Sequence, residues 1–103
     1  MSDEFVKHDA GKPRPDLVPA TALHEIWRVL EYGSRKYDDD NWRKTSSIRR
    51  YFSASLRHLW AWFSGEDLDP ESGLHHLAHA GTCVLFMLAL AIDHPDCDDR
   101  PRV

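Results

Sequence analysis

Between Arg57 and Cys83 the chain sets four histidines (His58, His75, His76 and His79) and four carboxylates (Glu66, Asp67, Asp69 and Glu71) within 27 residues. Imidazole with carboxylate suits zinc, manganese, iron or nickel, whereas carboxylate alone suits magnesium. On a helix His76 and His79 are three apart and His79 and Cys83 four apart, so the three share a face, and His75 pairs with His79. If the segments on either side of Leu68 are antiparallel helices, His58 comes level with His79. A His58, His76 and His79 cluster then forms, with Glu66, Asp67, Asp69 and Glu71 at its open end. Such a cluster could hold a metal or a phosphate, with Arg57 or Arg50 supplying positive charge. The plainer reading has the histidines hydrogen-bonding at a helix interface and the acids solvating a turn. Three imidazoles at ligand spacing beside acids favour the functional reading. No four-cysteine or HExxH pattern specifies the metal.

Other chemistry lies outside this stretch. In the arm, Lys7, Lys12 and Arg14 alternate with Asp9 and Asp16, and Gly11-Lys12 in an extended segment could bring a backbone amide and an ammonium to a phosphate. A flexible solvated leader is the competing reading. Trp42 follows a helix break beside Asn41, which suits the wall of a ligand site. Trp27 fits a core stripe, Trp60 and Trp62 sit near the histidines, and Asp38 to Asp40 read as a solvated turn. His8-Asp9 lacks the helical setting of a phosphohydrolase. Neither a nucleophile elbow nor a phosphate-binding glycine loop occurs.

The elements that would position these groups are helices. Leu23, Ile26, Trp27, Leu30 and Tyr37 recur at helical spacing and predict a first helix over about 19–37, with Pro19 in its first turn and Gly33 marking a close approach or the helix end. Thr45, Ser46 and Ser47 are capping residues for a second helix over about 47–64, whose stripe is Ile48, Phe52, Leu56, Leu59 and Phe63 and which Gly65 ends. Asp69, Pro70 and Glu71 are a start signal for a third helix over about 69–93. Its far half is apolar on every side, which three helices cannot cover, and so predicts self-association through helix three into a dimer or tetramer. The expected architecture is an all-α single domain over 19–93, with an extended arm over 1–18 and a flexible acidic tail over 94–103.

At 103 residues, 42% apolar and with net charge −4, the chain fits one folded domain without a general basic field for extended nucleic acid. Cys83 and Cys97 make no disulfide framework, the N-terminus is not a signal peptide, and the apolar run 80–92 is short for a bilayer. A soluble cytoplasmic protein is expected.

Three blocks carry a family resemblance: DAGKPRPDLVP at Asp9 to Pro19, VLEYGSRKYDDDNW at Val29 to Trp42, and RHLWAWFSGEDLDPESGLHHLAHA at Arg57 to Ala80. With them the chain resembles the phage-associated dATP/dGTP diphosphohydrolase N-terminal domain family, which looks related to all-α MazG-like nucleotide pyrophosphatases. The resemblance implies a helical, oligomeric, divalent-metal enzyme that splits a purine deoxynucleoside triphosphate into monophosphate and pyrophosphate. By position, Lys12 and Arg14 would hold phosphates, and Lys36, Tyr37, Asn41 and Trp42 would line the nucleotide. Arg57, Glu66 and Glu71 would be catalytic, and His58, Asp69, His76 and His79 would hold magnesium or manganese, with zinc or another transition metal as alternatives. Where MazG-like enzymes carry a helical acid, this chain has His79. Either the metal differs, or the carboxylates from Glu66 to Glu71 serve. The other function considered is a non-catalytic module that binds or sequesters a nucleotide.

Overall fold

The computed structural model describes residues 3–102. The expectations for residues 1 and 2 of the arm and 103 of the tail lie outside the described residues. Three helices carry the fold, α1 (Ala20–Lys36), α2 (Arg49–Phe63) and α3 (His76–Asp93), with short 3₁₀ turns before α1, between α1 and α2 and after α3, and no strand occurs among the described residues. The all-α architecture is therefore as expected. Both α1 and α2 pack against α3. Each runs antiparallel to it: Ser55 in α2 donates its hydroxyl to the Ala80 carbonyl, and Lys36 at the end of α1 reaches Glu71 before α3 begins. Two small cores pin the ends. Val29, Leu74 and Ala78 join α1 to the start of α3, while Ile48, Leu90 and Cys97 join α2 to its far end. An open cleft lies between them.

The third helix starts at His76 rather than near Asp69. Asp69, Pro70 and Glu71 form a tight turn instead, because the Asp69 carboxylate accepts the Ser72 amide at 2.9 Å and Gly73, at φ +73°, lets the chain reverse. The turn is closed by an antiparallel bridge between Leu68 and His75. The cap of α3 is His75, whose Nδ1 accepts the Leu77 amide at 3.0 Å. A capping side chain followed by proline suits a turn as well as a helix start, and the glycine four residues on decides between them.

The cap of α2 is also not where the sequence put it. No side chain among Thr45, Ser46 and Ser47 caps it. Asp99 does so from the other end of the chain, accepting the Arg49 amide at 3.2 Å and the Ser47 hydroxyl. The stretch around Cys97 accordingly packs rather than frays: Cys97 is buried, and its carbonyl accepts the Ile48 amide at 3.0 Å. A carboxylate at a helix N-terminus meets unpaired N–H groups and the positive end of the dipole. At the other end α2 stops as expected, with Gly65 at φ +106°.

Phe52, Leu56, Leu59 and Phe63, expected in the core, are exposed. Facing α3 are Ser55 and His58, which find hydrogen-bond partners there, so this polar face of α2 turns inward and the apolar stripe beyond Ile48 outward. Trp27 is exposed too, and leans on His24. Gly33 lies inside α1 with open space around it; it is at Gly81 that an added Cβ would meet a neighbour, Ile26 Cδ1 at 3.6 Å. By length and composition α3 alone among the described helices could cross a membrane. Its buried positions include His76 and Thr82, the pattern of a core helix facing a polar site.

Candidate functional site

The cleft between α1 and α2, floored by α3, has a volume of about 760 Å³. It gathers most of the residues singled out from the sequence. Lys36, Tyr37, Asn41 and Trp42 line the α1 side and the turn after it, and Arg57, His58, Asp69, Glu71, His76 and His79 line the α2–α3 side. Glu66 stands behind His76. Lys12 and Arg14 are elsewhere, in a separate shallow depression of the arm, where Arg14 is paired with Asp16 at 2.7 Å. Trp60 and Trp62 do not line the cleft.

The antiparallel hairpin sets the imidazoles against one another. His58 Nδ1 is 2.9 Å from His76 Nδ1, and the other nitrogen of His76 meets Glu66 at 2.6 Å. His79 lies flat on His58, with ring centres 4.4 Å apart, and its Nε2 is 2.7 Å from the Ser72 hydroxyl and 3.9 Å from Asp69. Donor atoms of His58, Asp69 and His76 all lie within 4.8 Å of one another, a group able to hold a metal ion.

Burial shapes the charges here. It pushes His58 down to about 4, helped by His79 and His76 beside it, so the ring is neutral and available as a ligand at pH 7. Burial likewise lowers His79. For Asp69 burial acts upward, but hydrogen bonds from Ser72 and the nearby imidazoles outweigh it, and the carboxyl stays below its ordinary range. Glu71 is held low by Lys36 and then Tyr32, whose hydroxyl donates to it at 3.0 Å; Lys36 is raised in return. Burial pushes the Cys83 thiol up to about 11, so in the metal-free chain it is protonated at neutral pH.

Opposite the histidines the wall is aromatic. Trp42 stacks on Phe86 with centres 4.4 Å apart and planes 8° from parallel, Tyr51 meets Phe86 edge-on, and Arg43 covers Trp42. One end of the cleft thus carries the histidines and the other a set of aromatic rings. Tyr32, Ser72 and Phe86 had not been singled out. Tyr32 sits at helical spacing from Lys36, which was the one available signal for it; Ser72 and Phe86 acquire roles only through contacts between elements.

Residues 2–100 match the family model described as dATP/dGTP diphosphohydrolase, N-terminal. The chain belongs to this family. It is also 37% identical over 95 residues to a protein of Salmonella phage PMBT28 called dATP/dGTP diphosphohydrolase, covering 92% of this chain and 32% of that protein. The chain therefore spans about a third of the length of this relative. No solved structure matches.

Proposed function

We propose that the cleft binds a purine deoxynucleoside triphosphate such as dATP or dGTP and hydrolyses it to the monophosphate and pyrophosphate, with a divalent metal at the histidine and aspartate end. The name of the phage relative supports this substrate class, and the two-ended cleft is the observation that carries it. A triphosphate needs cations and a metal at one end and a flat apolar wall for the base at the other. Lys36 and Arg57 are the cations on the cleft wall, and Trp42 and Phe86 are the wall. The His58, Asp69 and His76 donor set fits a divalent ion, which would neutralise phosphate charge and help activate a water. Lys36 and Arg57 hold phosphate oxygens, Glu71 orients Lys36, and Tyr37 and Asn41 border the base. Lys12 and Arg14 take no part unless the arm moves. The same reading takes a second copy of the chain as partner, and an infected host's cytoplasm as location.

The test is pyrophosphate release from dGTP and dATP by the purified chain with magnesium or manganese. Release that falls about a hundredfold in Arg57→Ala, and strongly in Glu71→Ala and His79→Ala, supports the enzyme. Tight nucleotide binding without release supports the second reading, a module that holds the nucleotide intact. One observation favours that alternative: Glu71 is engaged by both Lys36 and Tyr32, and Glu66 by His76, so neither expected carboxylate stands free to activate water.

A further inference from the structure

The geometry points to a divalent ion of the imidazole-binding class, zinc, manganese, iron or cobalt rather than magnesium, held by Nδ1 of His58, Nδ1 of His76 and the carboxylate of Asp69, with Glu66 positioning His76. This deepens the proposed function by naming the metal class and the ligating atoms.

The two Nδ1 atoms are 2.9 Å apart. Ligands about 2.1 Å from one ion at right angles are separated by about 3.0 Å, so the rings already stand at the spacing of two imidazoles on one metal. A carboxylate oxygen only accepts, so at 2.6 Å from Glu66 the His76 Nε2 carries its hydrogen. In the neutral ring that leaves the Nδ1 lone pair directed at His58. Carboxylate, imidazole and metal in a row is the arrangement that fixes a ligand's tautomer and raises its basicity. His76 is also 3% exposed, so its orientation is set by packing as well. When the ion binds, the hydrogen shared between the two Nδ1 atoms leaves that position, and His58 carries its proton on Nε2 instead.

Asp69 supplies the hard ligand. Its Oδ2 is held by the Ser72 amide at 2.9 Å, and the bonds from this one residue leave the carboxylate with lone pairs to spare. His79 is adjacent but differently used: its Nε2 is taken by Ser72, and its ring stacks on His58. It acts as a support for the ligands. Magnesium prefers oxygen ligands and retains its waters, so a site with two nitrogens and one carboxylate discriminates against it.

The experiment is a cobalt(II) titration of the full chain without nucleotide, followed by visible absorption. The expected result is a d–d spectrum that saturates at one ion per chain, is displaced by zinc, and is unchanged by millimolar magnesium. His58→Ala and His76→Ala lose it while keeping the helical circular dichroism. His79→Gln keeps it. Glu66→Gln keeps its shape but weakens affinity about ten- to a hundredfold. If His76→Ala fails to fold, His58→Ala, at a part-exposed position, decides. A missing spectrum, an unchanged spectrum in both histidine variants, or equal competition by magnesium overturns the assignment. Because no nucleotide is present, that failure is separable from failure of hydrolysis: pyrophosphate release with magnesium by His76→Ala would overturn this site and leave the diphosphohydrolase intact.

Discussion

His58 is a histidine held neutral by its neighbours, and that has a sign. Its value in the fold, about 4, is below its ordinary 6.5, so between those limits the unfolded chain takes up a proton that the folded chain refuses. The stability it contributes is complete above about pH 6.5 and is lost as pH falls towards 4. Asp69 and Glu71, both lowered, withdraw theirs only in more acid solution. The metal-free protein is expected to melt at a lower temperature at pH 5 than at pH 7.5, and His58→Asn to flatten that difference; equal slopes in calorimetry would exclude the mechanism. Lys36→Ala tests the neighbouring cation. It should weaken nucleotide binding about tenfold in a fluorescence titration while leaving the melting temperature nearly unchanged, because the Lys36–Glu71 pair lies on the cleft rim. Residue types and spacing were enough to single out His58, His76 and His79. They were not enough to show that Glu66 serves His76, or that Tyr32 and Ser72 belong to the site, since those are contacts between separate segments.

At the scale of elements, the turn and the tail differ most from what local signals suggest. The reversal before α3 depends on Gly73 at φ +73°, a conformation that costs a residue with a Cβ about 1–2 kcal/mol. Gly73→Ala should therefore destabilise by that amount in urea unfolding, and should also loosen Asp69, whose carbonyl accepts the Gly73 amide at 2.7 Å. If Asp69, Pro70 and Glu71 did begin a helix, the same change would stabilise. Asp99→Ala removes the partner of the Arg49 amide and the Ser47 hydroxyl, and a lower urea midpoint is expected together with faster amide exchange at 49–51. Helix existence could be read locally because apolar spacing is a local property. Capping of α2 could not, because its cap lies about fifty residues away.

For the whole molecule the exposed face is decisive. A compact monomer of 11.9 kDa would show about 5,900 Å² of surface, whereas this chain shows 8306 Å². The extended arm accounts for part of the excess. The rest includes Phe52, Leu56 and Phe63 on α2 and Val84, Leu88 and Ile92 on α3. Helical spacing puts these on the side away from the cleft, whose α2 wall is Ala54, Arg57 and His58. The partner proposed for this face is a second copy in antiparallel register. Such a pairing sets Arg49 and Arg50 at one end of α2 against Glu66 and Asp67 just past the other. Light scattering at micromolar concentration should give at least twice the chain mass, and Leu56→Asp or Leu88→Asp should give monomers that still bind nucleotide. A wild-type monomer would end the idea and leave the face to another polypeptide. Among the described residues Leu90 is the one large side chain with no exposure, so Leu90→Ala should cost about 2–5 kcal/mol with or without assembly.

Sequence alone determined that the chain is three helices, that Gly65 ends the second, and that His58, His76 and His79 share a region with acids, because periodicity, glycine and short-range spacing act within a turn or two. Tertiary structure decided which face of α2 is inside. The apolar stripe had the stronger hydrophobic pattern, but Ser55 and His58 have partners on α3 that no local pattern shows, and an inward polar face is tolerated when it is hydrogen-bonded. It also decided that Lys36 and Trp42 face the histidine cluster across a cleft while Lys12 and Arg14 do not. Distance along the chain says nothing about which walls meet, and it is the meeting of walls that makes the site.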